Sequence, residues 1–217
     1  MMKYKIAYID EDDGWISTFY HTFKNYFEII KVKIDAESSI ESIVAGLFDR
    51  EVDAIITDYL LEEEGDVSFN GNKIVDAIRC IKPHFPIIML TSYEPQAINQ
   101  MDDVHIIYGK SILDGESQDE LELFRTKILA TITNYYTKIK DTQSRIENLV
   151  DKKNEIGLTI LEEEELTKLF LLMDEFEPEG KGLPANLILR ESITKLHEFV
   201  AETKKVLDEL KKAKKEE

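Results

Sequence analysis

Residues 52–58 read VDAIITD, and this run gives the clearest indication of the fold. It is short and mostly apolar, and it ends in a carboxylate, which is typical of a strand buried on both faces of a parallel sheet. Two further runs share this character, IAYIDE at residues 6–11 and PIIMLTS at residues 86–92. Each run predicts a buried strand with polar residues at its carboxyl end.

Strand and helix patterns alternate over residues 1–135. The predicted strands are residues 4–9, 29–34, 54–57, 86–90 and 104–108. Amphipathic helices are predicted between them at 15–26, after an N-cap at Ser38 or Ser39, and at 72–81, and a long helix begins near Ser117. Parallel strands need crossover connections, so we expect an α/β fold with a doubly wound, five-stranded parallel sheet.

Polar residues follow four of these strands: Asp10 and Glu11, then Asp58, Thr91 and Lys110. In a doubly wound sheet the ligand crevice lies beyond the carboxyl ends of the strands. Carboxylates suit Mg²⁺, and a carboxylate can attack phosphorus to form an acyl phosphate. A lysine can contact a phosphoryl oxygen, so the pattern predicts a site for Mg²⁺ and a phosphoryl group.

These motifs, in this order, resemble the receiver domain of two-component response regulators over about residues 1–135. The resemblance implies a flavodoxin-like sheet of strand order 2-1-3-4-5 and a sensor histidine kinase or phosphotransfer protein as partner. It implies that Asp58 accepts the phosphoryl group, that Thr91 is the switch hydroxyl and that Lys110 contacts the phosphoryl group. The implied Mg²⁺ ligands are Asp10, mainly through water, Glu11, Asp58 and the backbone carbonyl of Leu60.

The sequence departs from the family pattern near this site. Glu11 stands where the family usually has aspartate, Ser111 where proline follows the lysine, and Ile107, beside Tyr108, where an aromatic residue is expected. The loop after Asp58 is longer and carries Glu62, Glu63, Glu64 and Asp66. Because Asp12 and Asp13 follow directly, the sequence also allows the set of carboxylates that forms the site to be shifted by one residue.

Simpler roles are open for the same residues. An aspartate at a strand end, such as Asp10, is often only a turn residue or an N-cap. Thr91 is also a natural N-cap for a helix that begins near Glu94. The acidic loop at 62–64 is either a solvated loop or an additional cation site.

Residues 136–217 are predicted to be helical, with narrow apolar seams. The first seam comprises Ile132, Tyr135, Ile139, Thr142, Ile146, Leu149, Lys153, Ile156 and Ile160. Gly157 weakens this helix near its end, and Thr159 with Glu162 predicts a capping box for a second helix. The inward residues of that helix are Leu166, Leu169, Phe170, Met173 and Phe176.

A turn at residues 177–182 precedes a third predicted helix. Its seam comprises Leu189, Ile193, Leu196, Val200, Thr203, Leu207 and Leu210. Seams of this length favour a homodimer or a bound protein partner, and a monomeric hairpin packed on itself is the alternative. His197 lies on this helix, but the residues after it do not match a histidine phosphorylation motif.

Composition excludes several classes of protein. Asp and Glu outnumber Lys and Arg by 44 to 27, a net charge of -17, which disfavours binding to nucleic acid. Cys80 is the single cysteine, and the sequence has no signal peptide and no apolar stretch long enough to cross a membrane, so we expect a cytoplasmic protein. No phosphate-binding loop or nucleophile–base motif indicates an enzyme.

The sequence therefore predicts a response regulator with a receiver domain at 1–135 and a helical dimerisation or partner-binding region at 136–217. Two alternatives stay open. One is a pseudo-receiver adaptor that is never phosphorylated and whose coiled-coil interactions are constitutive. The other is an enzyme that uses the acidic crevice for metal-assisted phosphate hydrolysis.

Overall fold

The computed structural model describes residues 3–62, 67–115 and 117–177. The chain divides into two compact units, Met1–Lys140 and Asp141–Glu217. The first unit holds the sheet, and the described part of the second is helical.

Five parallel strands form the predicted doubly wound sheet in the order β2-β1-β3-β4-β5. Their bounds are β1 Lys5–Asp10, β2 Glu28–Lys33, β3 Ala54–Thr57, β4 Ile87–Thr91 and β5 Ile107–Gly109. The register pairs Ile9 of β1 with Thr57 of β3, and Thr91 of β4 with Gly109 of β5. The fold class and strand order predicted from the sequence are confirmed.

Six α-helices accompany these strands in the described residues. Their bounds are α1 Asp13–Phe23, α2 Ile40–Asp49, α3 Gly71–Ile81, α4 Glu94–Gln100, α5 Gln118–Glu155 and α6 Ile160–Phe176. Of the two candidate caps for α2, Ser39 is the one used, in a capping box with Ser42. Asp12 caps α1 by accepting a hydrogen bond from the Gly14 amide at 2.6 Å.

One face of the sheet carries an aromatic-rich core. Ile6 and Tyr8 of β1 pack there with Phe19 and Phe23 of α1 and Phe124 of α5. Side chains alternate along a strand, so the intervening residues of β1 face the opposite side. The buried faces of α2 and α3, which pack on each other, cover that side of a doubly wound sheet.

The fifth strand is shorter than predicted and begins later. Residues 104–108 were expected to be extended, but Val104–Ile106 form a 3₁₀ turn and β5 covers only Ile107–Gly109. The Asp103 side chain accepts a hydrogen bond from the His105 amide at 3.1 Å, which caps the turn. Arg79 of α3 pairs with Asp103 at 2.9 Å and holds the cap in place.

Asp53 links three distant segments at the amino-terminal edge of the sheet. One oxygen accepts a hydrogen bond from the Lys5 amide at 2.7 Å, and the other accepts one from the Tyr136 hydroxyl at 2.5 Å. The ring of Tyr136 is stacked near Tyr4, and the neighbouring Tyr135 packs edge-on against Phe85. This edge therefore joins β1, the start of β3 and α5.

The described part of the helical unit comprises the end of α5 and the antiparallel helix α6. Arg145 pairs with Glu165, and Lys152 pairs with Glu162. Residue numbers therefore increase along α5 in the direction in which they decrease along α6, as in antiparallel helices. The predicted capping box at Thr159 and Glu162 is confirmed. The buried residues of α6 are Leu166, Leu169, Met173 and Phe176, as predicted, whereas Phe170 is half-buried.

The predicted first seam is wrong in its final part. Thr142 and Ile146 are buried, but α5 ends at Glu155, and Gly157 takes a left-handed conformation with φ of 84°. Glycine adopts this conformation without steric cost, so the chain reverses there. Ile156 and Ile160, the last two seam positions, are 78% and 83% exposed.

Several predictions fall outside the described residues. These are the third helix with its seam and His197, most of the turn at 177–182, and the acidic-loop residues Glu63, Glu64 and Asp66. In the part of the chain that is described, no helix combines the length and apolar character required for a membrane span.

Candidate phosphoacceptor site

The site lies where four parallel strands end together. Asp10 is the last residue of β1, Asp58 follows β3, Thr91 is the last residue of β4, and Lys110 follows β5. All four residues are buried, at 0–2% exposure. The apolar strands supply this burial, and the change to polar residues at each strand end places the polar groups at one edge.

Lys110 joins two of the carboxylates. Its Nζ lies 2.6 Å from Asp58 Oδ2 and 2.9 Å from Asp10 Oδ2. Burial alone would lower the pKa of Lys110, but the charges of Asp58 and Asp10 outweigh that effect and raise it. The lysine is therefore held charged between the two acids.

Asp10 receives further hydrogen bonds from Tyr8 and from the backbone. The Tyr8 hydroxyl donates to Asp10 Oδ2 at 2.6 Å, and the Asp12 amide donates to Asp10 Oδ1 at 3.1 Å. Burial is the main cause that raises the pKa of Asp10, opposed chiefly by the charge of Lys110. Burial and the adjacent Asp10 charge also raise the pKa of Tyr8, so its phenol stays a donor.

Glu11 places one carboxylate oxygen at the same site without a hydrogen-bond donor from the described chain. Its Oε2 atom is buried and receives no hydrogen bond from the described residues. Burial raises the pKa of Glu11 to about 8, with the charges of Asp10 and Asp58 adding to the effect. A buried carboxylate oxygen without a donor is costly, and a bound cation would satisfy it.

These three acids are close enough to share one cation. Ligand atoms of Asp10, Glu11 and Asp58 lie within 4.8 Å of one another. When all three acids are ionised, Lys110 balances one of their three charges, and the remainder suits a hard divalent ion with oxygen ligands. The donor set therefore fits Mg²⁺.

The next two acids serve other purposes. Asp12 caps α1, and Asp13 is exposed and pairs with Lys33 at 2.5 Å. The one-residue shift that the sequence allowed is thus not the arrangement adopted, because Asp10 and Glu11 are the residues that face Asp58.

The backbone around Asp58 is closely packed. The Tyr59 amide donates to Asp58 Oδ1 at 2.6 Å, and the Thr57 hydroxyl donates to the Asp58 carbonyl at 2.9 Å. Gly71 begins α3 against this carbonyl, and a Cβ atom there would lie 1.8 Å from the oxygen. Close approach, rather than an unusual φ, is what requires glycine at this position.

Leu60 lies in the loop after Asp58, and the side chain of Asn70 holds this loop by hydrogen bonds to its backbone. Its Oδ1 accepts hydrogen bonds from the amides of Leu61 at 2.9 Å and Glu62 at 3.3 Å. Leu60 itself is half-buried between these contacts and Asp58. The segment whose carbonyl the resemblance assigns to Mg²⁺ is thus fixed at both ends.

Thr91 does not cap α4. Tyr93 holds the N-cap position without a side-chain cap, and the Thr91 hydroxyl accepts a hydrogen bond from the Tyr93 amide at 3.1 Å. The alternative role that the sequence left open for Thr91 is therefore wrong. The hydroxyl orders the turn that leads from β4 into α4.

The departures at β5 have visible structural counterparts. The peptide bond between Lys110 and Ser111 is trans, like every other bond in the described residues. Tyr108 packs against Phe124 of α5, with ring centroids 5.3 Å apart. Neighbouring strand residues face opposite sides, so Ile107 and not an aromatic ring lies on the other face.

Sequence reasoning missed two side-chain contacts at the site. Tyr8 lies two residues before Asp10 on the same strand face, and a buried phenol needs a hydrogen-bond partner, so this contact had a signal. The ring of Trp15 lies 5.1 Å from Lys110 Nζ, which is a cation–π distance. The helical position of Trp15 gave no direct indication of that contact.

No family model and no curated protein matches this chain. Solved structures similar to it include receiver domains of response regulators. The receiver domain of an HD domain-containing protein from Pseudomonas fluorescens Pf-5 is 17% identical, with a TM-score of 0.48, and the match covers 62% of this chain and 92% of that one. The chemotaxis response regulator CheY4 of Vibrio cholerae is 18% identical, with a TM-score of 0.43 and coverages of 59% and 99%.

A third similar structure is a fusion that contains a trimeric coiled coil of yeast Spc42. It is 17% identical to this chain, with a TM-score of 0.48, and the match covers 72% of this chain and 94% of that one. At these identities the similarities concern the fold and do not extend to the chemistry of the site.

Proposed function

We propose that this protein is a response regulator that accepts a phosphoryl group on Asp58 and signals through its helical region. The donor is a sensor histidine kinase or a phosphotransfer protein, and the output is a protein–protein interaction. The observation that carries the proposal is the buried pairing of Lys110 with both Asp58 and Asp10, beside the buried Glu11 Oε2 atom, which receives no hydrogen bond from the described residues.

Asp58 is suited to act as the nucleophile. A carboxylate oxygen of Asp58 attacks the phosphorus of the donor, the bond from phosphorus to the leaving nitrogen or oxygen breaks, and an acyl phosphate forms. The Tyr59 amide and Lys110 fix the two oxygens of the carboxylate. Because Lys110 already lies 2.6 Å from Asp58, it can follow the negative charge onto the transferred group.

Mg²⁺, when bound, supplies positive charge that neutralises the phosphoryl oxygens. Glu11, Asp58 and the Leu60 carbonyl are the proposed direct ligands. Three donors already occupy Asp10, namely Tyr8, Lys110 and the Asp12 amide, so its contribution through water is the better fit.

The aromatic packing at β5 suggests how a change at the site reaches the helices. Tyr108 lies two residues before Lys110 and contacts Phe124 and Lys127 of α5. We propose that phosphorylation biases a two-state element at the β4 and β5 edge, including Thr91, and that α5 is its first contact in the output. Homodimerisation or partner binding by the helical region completes the proposal.

The test is intact-mass spectrometry after incubation with Mg²⁺ and acetyl phosphate. We expect one phosphoryl adduct that hydroxylamine removes, as it does from an acyl phosphate. Asp58→Asn should abolish the adduct, whereas the matched control Asp13→Asn, an exposed aspartate paired with Lys33, should retain it. An adduct that persists in Asp58→Asn would exclude Asp58 as the acceptor.

The pseudo-receiver adaptor is the second candidate, and one observation favours it. Both oxygens of Asp58 are already engaged, one by Lys110 and one by the Tyr59 amide. Trp15 is the single tryptophan and lies beside Lys110, so its fluorescence reports on the site. No adduct together with no Mg²⁺-dependent change in Trp15 emission would favour the adaptor.

We propose that the protein is not an enzyme acting on free phosphoesters. Phosphoryl transfer to Asp58 modifies the protein itself, and Lys110 is engaged with Asp58 and Asp10. Catalytic release of phosphate from small phosphoesters, lost in Asp58→Asn, would instead support the hydrolase alternative.

A further inference from the structure

The indole ring of Trp15 contacts the buried lysine of the phosphoacceptor site. Lys110 Nζ lies 5.1 Å from the centre of this ring, within the range of a cation–π interaction. An ammonium has three N–H donors, and Lys110 has two acceptors, Asp58 Oδ2 at 2.6 Å and Asp10 Oδ2 at 2.9 Å. Lys110 forms no third hydrogen bond or ion pair with the described residues, so the ring is the further attractive contact of its charge.

The local fold brings the two side chains together. Asp12 caps α1, and Trp15 lies in the first turn of the helix after this cap. Lys110 begins a 3₁₀ turn, Lys110–Asp114, which packs against α1. The side chain of Trp15 is half-buried and packs against the aromatic-rich core. The core therefore holds the ring beside the end of β5.

We propose that Trp15 is a positioning residue for phosphoryl transfer, which holds the Lys110 ammonium while this group shifts its contact from Asp58 to the phosphoryl oxygens. The inference rests on the proposed function. A cation–π contact suits this role because its geometry is broad and the ring carries no formal charge. A carboxylate in the same place would compete with the phosphoryl oxygens for the ammonium, whereas an aliphatic side chain would not attract it.

Phosphoryl transfer changes the partners of Lys110. An oxygen of Asp58 becomes bonded to phosphorus, so the carboxylate loses its full negative charge and attracts Nζ less strongly. Asp10 and the ring of Trp15 are the contacts that remain in the meantime. The Lys110 side chain is only 3% exposed, so water does not readily replace the weakened contact. Burial also strengthens a cation–π contact, because the cation is already desolvated.

The decisive test depends on Trp15 being the single tryptophan of the chain. Biosynthetic incorporation of monofluorinated or difluorinated tryptophan therefore alters this ring alone. Fluorine withdraws electron density from the ring face and changes its size very little, so it weakens a cation–π contact without disturbing the packing. We expect the phosphoryl adduct to form more slowly with each fluorine, about 2–5-fold more slowly with difluorotryptophan, in intact-mass time courses with Mg²⁺ and acetyl phosphate. Equal rates with all three rings would overturn the inference.

Trp15→Leu removes the ring and keeps an apolar side chain. It should slow adduct formation about 5–30-fold. In NMR spectra of the metal-free protein it should also abolish the upfield ring-current shift of the Lys110 ε-methylene protons. The matched control is Ile29→Ala, a half-buried residue of β2 that packs on the same core, and it should keep both the rate and the shift. A wild-type rate in Trp15→Leu would contradict the positioning role, and the fluorinated rings decide the question if this variant does not fold.

Failure of the inference is distinguishable from failure of the proposed function. If the wild-type protein forms no adduct, the proposed function is refuted and Trp15 has no role in phosphoryl transfer. If the wild-type adduct forms and neither fluorination nor Trp15→Leu slows it, the inference about Trp15 alone is refuted.

Discussion

Replacing Gly71 by alanine should destabilise the protein, although alanine favours helices. The added Cβ would lie 1.8 Å from the Asp58 carbonyl oxygen, whereas ordinary contact begins near 3.4 Å. Relief requires the two backbones to separate by the difference, 1.6 Å. That movement would break the hydrogen bond from the Gly71 amide to the Tyr59 carbonyl, which is 2.7 Å long.

The magnitude follows from three contributions. Overpacking of a well-packed site costs about 1–3 kcal/mol. The broken backbone hydrogen bond adds about 1 kcal/mol. Helix propensity returns at most about 1 kcal/mol, because Gly71 is the first residue of α3. We therefore expect the free energy of unfolding to fall by about 1–3 kcal/mol.

Gly46 provides the control, because it lies within α2 and a Cβ there meets nothing within 4 Å. Gly46→Ala should raise the free energy of unfolding by about 0.5–1 kcal/mol. The assay is urea denaturation followed by far-ultraviolet circular dichroism for the wild type and both variants. If Gly71→Ala matched or exceeded the wild type in stability, the steric reasoning would be refuted.

Three other substitutions test charges and hydrogen bonds. Tyr8→Phe removes a buried hydrogen bond to Asp10 and should lower the free energy of urea unfolding by about 1.5–3 kcal/mol; an unchanged value would show that the hydroxyl contributes nothing. Burial raises the pKa of Glu11 in the folded protein to about 8, so the folded state favours the neutral carboxyl. The protein is therefore most stable with respect to this group below about pH 4.5, and that stability is lost as the pH rises to 8. Glu11→Gln should therefore stabilise metal-free protein in thermal melts at pH 8 but not at pH 4.5, and an equal gain at both would contradict this. The hydrogen bond from Lys152 lowers the pKa of Glu162 to about 2, so the stability that the ionised Glu162 contributes is lost as the pH falls from about 4.5 to 2. Glu162→Gln should therefore reduce helicity at pH 7 and not at pH 2.

Strands β1, β3 and β4 were predictable because they are nearly continuous apolar runs with abrupt polar ends. These three strands are buried on both faces, so neither register nor sidedness had to be known to place Asp10, Asp58 and Thr91 at strand ends. The start of β5 was not predictable in this way. A side-chain cap from Asp103 and its pair with Arg79 override an apolar stretch there, and both depend on tertiary contacts.

The remaining features of the site needed three-dimensional distances. The ring of Trp15 beside Lys110 and the contact of Gly71 with the Asp58 carbonyl each join residues far apart in sequence. In the helical unit, spacing alone extended a seam through Ile156. The left-handed turn at Gly157 ended the helix before that residue, and a periodic pattern carries no information on where a chain reverses.

The carboxylate of Asp53 sets an order on the assembly of the sheet during synthesis. Its first partner, the Lys5 amide, leaves the ribosome earlier than Asp53 itself, but the Tyr136 hydroxyl is made 83 residues later. At ordinary translation speeds that interval lasts roughly 4–17 s. During this time the amino-terminal edge of the nascent sheet lacks its closing contact and is open to association with other chains. A chain ended at residue 135 would keep that vulnerability permanently, because it stops one residue short of the closing tyrosine.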